Sequence, residues 1–525
     1  MKISNSYKNK KDARTIEVSG SLLARNTMLN LVGQVVPLLI GVATIPFVIR
    51  GLGTDRFGLF SLVWVVLGYF AIFDFGLGRA TTKFVSEALG KGDQDQVPRV
   101  VWTAVTVEAL LGFAGALILA VITPLLVGSV LNVPRELIAE AKITFYLLAL
   151  SVPVVLTSSS FRGVLAAAQR FDLVNAVQIP TSCATYLLPL VGLALGFNLP
   201  GIVVLILLAR VGGLAAYVTL NLRAIPRLKS YSASADFFPR LFSFGGWVMV
   251  TSVVSPILVY FERFLIGSLL SVAALAFYSA PYEMVTRFTI IPTSLTLTLF
   301  PAFSALESVQ NRQKLATVFA RSVKYILITL GPIVLVISLF AEDILRLWLG
   351  TDFAKESTAV LQLLAIGVLI NSLAHTPFSL LQGVGRPDLP AKFHLLEMPV
   401  YIATAWILVS KLGIAGAAMA WTIRVTLDAL LLFVAAFKSC RLPADLLPKN
   451  GLTTMGVALC MLTGAAYGVR ALTDSLPLSV QALLFIVLFC LFSWLVWRRV
   501  MDALDRGAIL GMMKRLQRSD AAPRP

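Results

Sequence analysis

The sequence predicts an all-α integral membrane protein of about fourteen transmembrane helices, built as two six-helix lobes in parallel pseudo-repeat plus two C-terminal helices. Three observations carry that expectation. Long apolar runs follow one another with only short polar breaks, and each is close to the ~20 residues a helix needs to cross a hydrocarbon core of ~30 Å. The runs are continuously apolar rather than alternating, which excludes barrel strands. The composition is 58% hydrophobic and 14% charged, with a mean hydropathy of +0.85, a balance that would leave a water-exposed fold with too much apolar surface.

Taken in order, a polar segment (1–27) precedes a first run (28–49) that is too long for a cleavable signal peptide and stays in the membrane. The N-lobe (28–230) then continues with runs at 57–79, 100–126, 137–161, 173–196 and 199–222. The C-lobe (231–445) places runs at 241–266, 274–300, 321–340, 358–381, 391–411 and 413–437. A last pair at 451–472 and 476–498 fills residues 446–500, and a basic tail occupies 501–525.

Charge orients these spans. With the N-terminus in the cytoplasm, about 34 of the 44 Lys and Arg fall on the cytoplasmic side. They include Lys8, Lys10, Lys11 and Arg14, then Arg223, Arg227 and Lys229, then Arg498, Arg499, Lys514 and Arg515. Both termini are therefore expected to be cytoplasmic in a multi-pass protein of the cytoplasmic (inner) membrane. The net charge of +17 is explained by this bias and by anionic headgroups, so no nucleic acid partner is invoked. Cys183, Cys440, Cys460 and Cys490 lie in or beside apolar runs without a CxxC, and two His residues offer no metal spacing. No metal and no cofactor are expected.

A weak duplication recurs at an offset of about 216 residues. Its clearest trace sets Gln169-Arg170-Phe171-Asp172-Leu173 against Gly385-Arg386-Pro387-Asp388-Leu389. Arg210 and Arg424, each midway along a span, form a second trace, and Phe60-Ser61 with Tyr278-Ser279 a third. Six spans per copy make both copies enter the membrane in one direction. Transporters use such pairs as rocking lobes with the substrate near the midplane.

The first two spans carry a family signature. Arg25-Asn26 opens span 1, followed by Pro46-Phe47-Val48-Ile49-Arg50-Gly51-Leu52-Gly53. Phe57-Gly58-Leu59-Phe60-Ser61 and Asp74-Phe75-Gly76-Leu77-Gly78-Arg79-Ala80 come next, and Leu412-Gly413-Ile414-Ala415-Gly416-Ala417-Ala418 stands late in the chain. This pattern resembles the polysaccharide transporter (repeat-unit flippase) family of the multidrug/oligosaccharidyl-lipid/polysaccharide exporter superfamily. The resemblance implies a flippase, not an enzyme, carrying an undecaprenyl-type pyrophosphate-linked oligosaccharide to the outer leaflet, beside membrane lipids and the polysaccharide polymerase machinery. The residues alone reach a two-lobed alternating-access transporter.

Ionisable residues deep in spans are costly and mark sites. Arg210, Arg287 and Arg424 are the deepest cations and are expected to face one cavity and bind the pyrophosphate, for which a planar guanidinium is suited; internal ion pairing is the competing role. Asp74, Glu108, Glu283 and Asp428 are candidates for ion coupling, although Asp74 also suits a helix-end pair with Arg79 or Lys83, and Asp428 a pair with Arg424. Arg162 and Arg263 lie near span ends, where a snorkelling side chain reaches the headgroups, and Glu262 would neutralise Arg263. Pro37, Pro46 and Pro256 hold corresponding positions in the two lobes and are read as gating kinks.

Two other functions fit less well. An ion-coupled drug exporter of the same fold would favour an acidic, aromatic lining. A membrane-embedded polymerase or ligase needs catalytic groups on substantial loops, and the outer loops here are short. No GxxxxGK followed by Ser or Thr occurs, so energy would come from ion or voltage gradients or from downhill flow of the lipid carrier.

Overall fold

A backbone in hydrocarbon must satisfy its hydrogen bonds within each segment, and the computed structural model of the chain consists of helices joined by short turns, with no strand among its described residues. These are residues 20–506, excepting 71–76, 92, 94, 169, 238, 240–245, 309–311, 444, 447–449, 474–477 and 503–505. Asp74 and most of the two terminal segments lie outside the described residues. Ten helices among the described residues are long and apolar enough to cross a membrane, and the protein is a multi-pass membrane protein.

The first elements are α1 (Gly20–Leu52), α2 (Thr54–Phe70), α3 (Leu77–Lys91), α4 (Gln96–Leu125), α5 (Ile138–Ala167), α6 (Phe171–Ala194) and α7 (Leu199–Ala224). After them come α8 (Gly246–Leu269), α9 (Val272–Thr286), α10 (Ile290–Ser308), α11 (Arg312–Leu339), α12 (Ala341–Trp348) and α13 (Thr351–Gly383). The chain closes with α14 (Asp388–Ser439), α15 (Leu452–Thr473) and α16 (Leu478–Leu495). Its contacts form two units: Met1–Met284 with His394–Ala420, and Val285–Phe393 with Trp421–Pro525.

In the first unit α5 is the central helix, packed on α3, α4 and α7, while α6 lies between α1 and α7, and α2 meets α8. Glu140 in the first turn of α5 ties three elements together. It takes Arg56 Nε of α2 on both carboxylate oxygens at 3.1 Å and the Leu199 N–H of α7 at 3.0 Å. In the second unit α13 is central, against α10, α11 and α12, and α15 with α16 packs on α11. Lys324, buried on α11, reaches the Val500 carbonyl at 3.4 Å, and Arg321 pairs with Asp502 at 2.6 Å.

The duplication extends to the backbone. Helix α4 opens at Gln96 and α11 at Arg312, 216 residues apart; α5 ends at Ala167 and α13 at Gly383, the same offset. The turns that follow repeat bond for bond. Ala168 N–H donates to Val164 O and Val384 N–H to Leu380 O; Arg170 N–H donates to Leu165 O and Arg386 N–H to Leu381 O, all between 2.8 and 3.0 Å. Each turn is closed by an Arg–Asp pair two residues apart, Arg170–Asp172 at 2.9 Å and Arg386–Asp388 at 3.0 Å.

Three expected spans are drawn differently. The run 274–300 is broken by a 3₁₀ turn at Arg287–Thr289 between α9 and α10. Pro292 there has no N–H to give the Phe288 carbonyl, and the Thr289 hydroxyl takes up the Thr286 carbonyl at 2.6 Å. The spans expected at 391–411 and 413–437 join without a loop in α14, whose only non-helical residue is Gly413 (φ 60°, ψ −139°). A side chain there costs about 1–3 kcal/mol of backbone strain. Pro37 and Pro46 lie within α1 and Pro256 within α8.

Close approach and backbone conformation make separable demands on two glycines of the α1–α2 region. A Cβ on Gly58 would overlap the Val272 carbonyl, whereas Gly53 has a positive φ (78°) but open space around it. Gly58→Ala is expected to reduce folded yield severely in size-exclusion profiles. Gly53→Ala should cost only about 1–2 kcal/mol, seen as a modest fall in Tm. Equal losses from the two would contradict this packing.

Candidate functional site

Helices α5, α6 and α7 each turn a partly polar face toward one cavity of about 370 Å³ within the first unit, in the size range of small-molecule sites. From α5 come Ser158, Ser159 and Arg162, from α6 Gln178, Thr181 and Ser182, and from α7 Arg210, Gly213 and Tyr217. These positions follow helical spacings of three and four residues, so each set shares a face.

Local contacts hold the three faces in place. Asn221 Nδ2 of α7 donates to the Phe161 carbonyl of α5 at 3.0 Å, beside Arg162. Tyr217 donates its hydroxyl to the Val174 carbonyl of α6 at 3.3 Å. Gly213 lets α7 approach α6: a Cβ there would meet the Thr181 hydroxyl oxygen at 2.9 Å. Trp102 of α4 sits edge-on to Phe161, with ring centroids 6.2 Å apart.

Among the described residues, two guanidinium groups and no carboxylate line the cavity. Arg210 Nε is buried with no hydrogen-bond partner among the described residues. Two cations, one with a buried Nε lacking a partner, in a cavity whose other described lining groups are neutral favour an anionic ligand, which supplies both an acceptor and the compensating charge. Arg162, exposed near the end of its span as a snorkelling side chain would be, also lines the cavity with Arg210.

The other expected residues are placed elsewhere. Arg287 opens the 3₁₀ turn after α9, and Arg424 and the buried Asp428 lie on α14; all three belong to the second unit. Glu108 is fully buried on α4 in the first unit.

Glu283 is part of a separate polar core in the first unit. Arg263 of α8, only 1% exposed, pairs with Glu283 of α9 at 3.5 Å, and its guanidinium lies 4.0 Å from the Tyr282 ring centroid. Snorkelling does not describe Arg263: it is buried and its ion pair is with Glu283, while Glu262, which accepts from Tyr278 at 3.3 Å and Tyr401 at 2.5 Å, adds its negative charge to the surroundings of Arg263. The aromatic faces and Glu283 replace the water that a snorkelling side chain would seek. Sequence reasoning missed Ser159, Gln178, Ser182 and Tyr217. Their one signal is the i, i+3, i+4 recurrence of polar residues (Gln178, Thr181, Ser182) in an apolar span.

Among the described residues no three His, Cys, Asp or Glu side chains form a group that could hold a metal ion.

Comparison with known proteins supplies the family. A putative O-antigen transporter of Shigella flexneri is 29% identical over 413 residues, covering 78% of this chain and 96% of that protein. Among solved structures, the lipid II flippase MurJ in an inward closed conformation superposes with a TM-score of 0.71 at 15% identity, covering 90% of this chain and 99% of that one. An inward-facing multidrug resistance MATE transporter gives 0.67 at 15% identity over 80% and 98%; both likenesses concern the fold. The MatE profile matches residues 248–407. The profile described as polysaccharide biosynthesis protein matches residues 23–307, more than half the chain, and on that match the chain belongs to the polysaccharide biosynthesis protein family.

Proposed function

We propose that the protein is a flippase that moves an undecaprenyl-type, pyrophosphate-linked oligosaccharide across the cytoplasmic membrane by alternating access, for assembly of a cell-surface polysaccharide. The observation that carries this reading is the cavity whose described lining holds Arg162 and Arg210 and no carboxylate. Guanidinium groups keep their charge and match the oxygens of a diphosphate, while a cation-exporting cavity would be lined by carboxylates. The name of the Shigella flexneri relative points the same way.

In this reading Arg210 and Arg162 take the diphosphate in the first unit, and Arg287 and Arg424 are proposed as phosphate ligands in the second. The lobes 28–230 and 231–445 act as the moving halves, and both termini face the cytoplasm. The cavity occupies the part of α5, α6 and α7 toward the Arg170 turn, which the positive-inside rule assigns to the cytoplasmic side. The protein performs no covalent chemistry. The polysaccharide polymerase is the proposed next user of the cargo. Asp74, Glu108, Glu283 and Asp428 are the proposed ion-coupling carboxylates, and Pro37, Pro46 and Pro256 the proposed bending points.

The test is sidedness of the glycolipid in cells lacking the protein, probed with a membrane-impermeant sugar-modifying reagent. Glycolipid is expected to be trapped in the inner leaflet, relieved by the intact gene and not by the Arg162→Gln/Arg210→Gln double variant at equal membrane level. Outer-leaflet glycolipid without polymer would point instead to a polymerase or ligase. Coupling has its own readout: Glu283→Gln should flatten the dependence of transport on imposed pH or sodium gradients, and an unchanged dependence removes Glu283 from that role. Transport unaltered by alanine at Pro37, Pro46 and Pro256 would reject gating at those kinks.

A further inference from the structure

The polar groups of the cavity fall into two classes, according to whether their hydrogen bonds are already used. The Ser158 hydroxyl donates to the Val154 carbonyl at 2.6 Å, Thr181 to Val177 at 2.8 Å and Tyr217 to Val174 at 3.3 Å. These bonds lie within or between the helices and serve the scaffold. Ser159, Gln178 and Ser182 line the same cavity, and none has a hydrogen bond to a described residue. A hydroxyl facing a cavity in a membrane helix ordinarily bonds back to its own helix, as Ser158 and Thr181 do, so the unspent donors and acceptors of Ser159, Gln178 and Ser182 are available to a ligand.

The geometry points to a glycan-reading subsite: Ser159, Gln178 and Ser182 bind the hydroxyls of the sugar attached to the diphosphate that Arg162 and Arg210 hold, and they set which oligosaccharide is accepted. This rests on the proposed function and names the specificity determinants of the same cavity. Gln178 and Ser182 stand one turn apart on α6, so their side chains emerge on one face. A carboxamide offers two donors and an acceptor, and a hydroxyl one donor and two lone pairs, an inventory matched to adjacent sugar hydroxyls. The ligand chemistry that satisfies the whole cavity is anionic next to neutral and polyhydroxylated, which is a glycosyl diphosphate. A bare diphosphate would leave the three neutral groups without partners. Groups buried without partners by ligand closure cost affinity, so the cavity discriminates in favour of the glycosylated ligand.

The experiment uses the full chain in lipid nanodiscs and two soluble probes, farnesyl diphosphate and its derivative carrying one sugar on the terminal phosphate. The intact protein should bind the glycosylated probe about tenfold more tightly, the equivalent of one good hydrogen bond. Gln178→Leu with Ser182→Ala should remove that gap and leave farnesyl diphosphate binding unchanged, while Gln178→Asn retains part of it. Arg162→Gln with Arg210→Gln should weaken both probes together. A gap that survives the Gln178/Ser182 variant, or an intact protein that binds both probes equally, overturns the subsite. An intact protein that binds neither probe overturns the diphosphate site itself. Unchanged size-exclusion profiles, with retained farnesyl diphosphate binding, show that a lost gap does not reflect misfolding.

Discussion

A peptide group left without a hydrogen bond in hydrocarbon costs several kcal/mol, and the departures from regular helix in this chain are organised around that cost. The 3₁₀ turn at Arg287–Thr289 forms where Pro292 withdraws a donor, and the Thr289 hydroxyl serves a carbonyl of the preceding turn. The reversal within α14 takes place at one glycine, so no loop needs solvation. After α5 and after α13 the chain turns back through the same short set of backbone bonds, closed each time by an Arg–Asp pair. For Arg170 that hydrogen bond to Asp172 raises the guanidinium pKa above its ordinary value, which outweighs the opposing effect of burial.

The same dielectric argument sorts the arginines. An arginine at a helix centre costs about 2.5–3.5 kcal/mol on insertion scales, so each must recover that cost through a carboxylate, an aromatic face, water or a ligand. Arg263 recovers it inside the protein, from Glu283 and the rings of Tyr282 and Tyr260. Its charge is neutralised and its donors are turned toward a packed core, which makes it a poor ligand for a substrate. Nε of Arg263 and Nε of Arg210 are both without a hydrogen-bond partner, but Arg210 has no carboxylate or aromatic ring against it among the described residues, and it borders a cavity. Depth in a span therefore identifies the cost, and only the surroundings tell which arginine is structural and which is free to bind.

That distinction explains what could be read from the sequence. Helix class, the approximate spans and the duplication are written in hydropathy and in the Arg170/Arg386 motif, because span length and turn chemistry are local properties. The offset of 216 residues found from five-residue traces returns in helix bounds and turn hydrogen bonds. Arg162 and Arg263 were indistinguishable on the same terms, since both lie toward a span end and differ only in their tertiary neighbours. Ser159, Gln178 and Ser182 were less visible still. Small polar residues are common in membrane helices, where most bond back to their own backbone, and only coordinates separate the spent hydroxyls from the unspent ones.

The duplication also shows that scaffold and recognition have different rules of inheritance. At the shared offset Phe378 stands where the first copy has Arg162, and Phe433 where it has Tyr217. Phe378 packs against the apolar cluster of Ala374, Leu381 and Leu432, and Phe433 meets Phe319 edge-on with ring centroids 5.9 Å apart. The second copy thus fills these two positions with packed phenylalanines, whereas Ser159, Gln178 and Thr181 correspond to His375, His394 and Glu397 and stay polar. Helix lengths and turns must stay alike in both copies because the bilayer sets the same thickness for each. Nothing sets the inner faces alike. A polar face is retained only where a ligand or a compensating partner repays its desolvation, so the loss of Arg162 and Tyr217 from the second copy supports the proposal that the first copy holds the diphosphate.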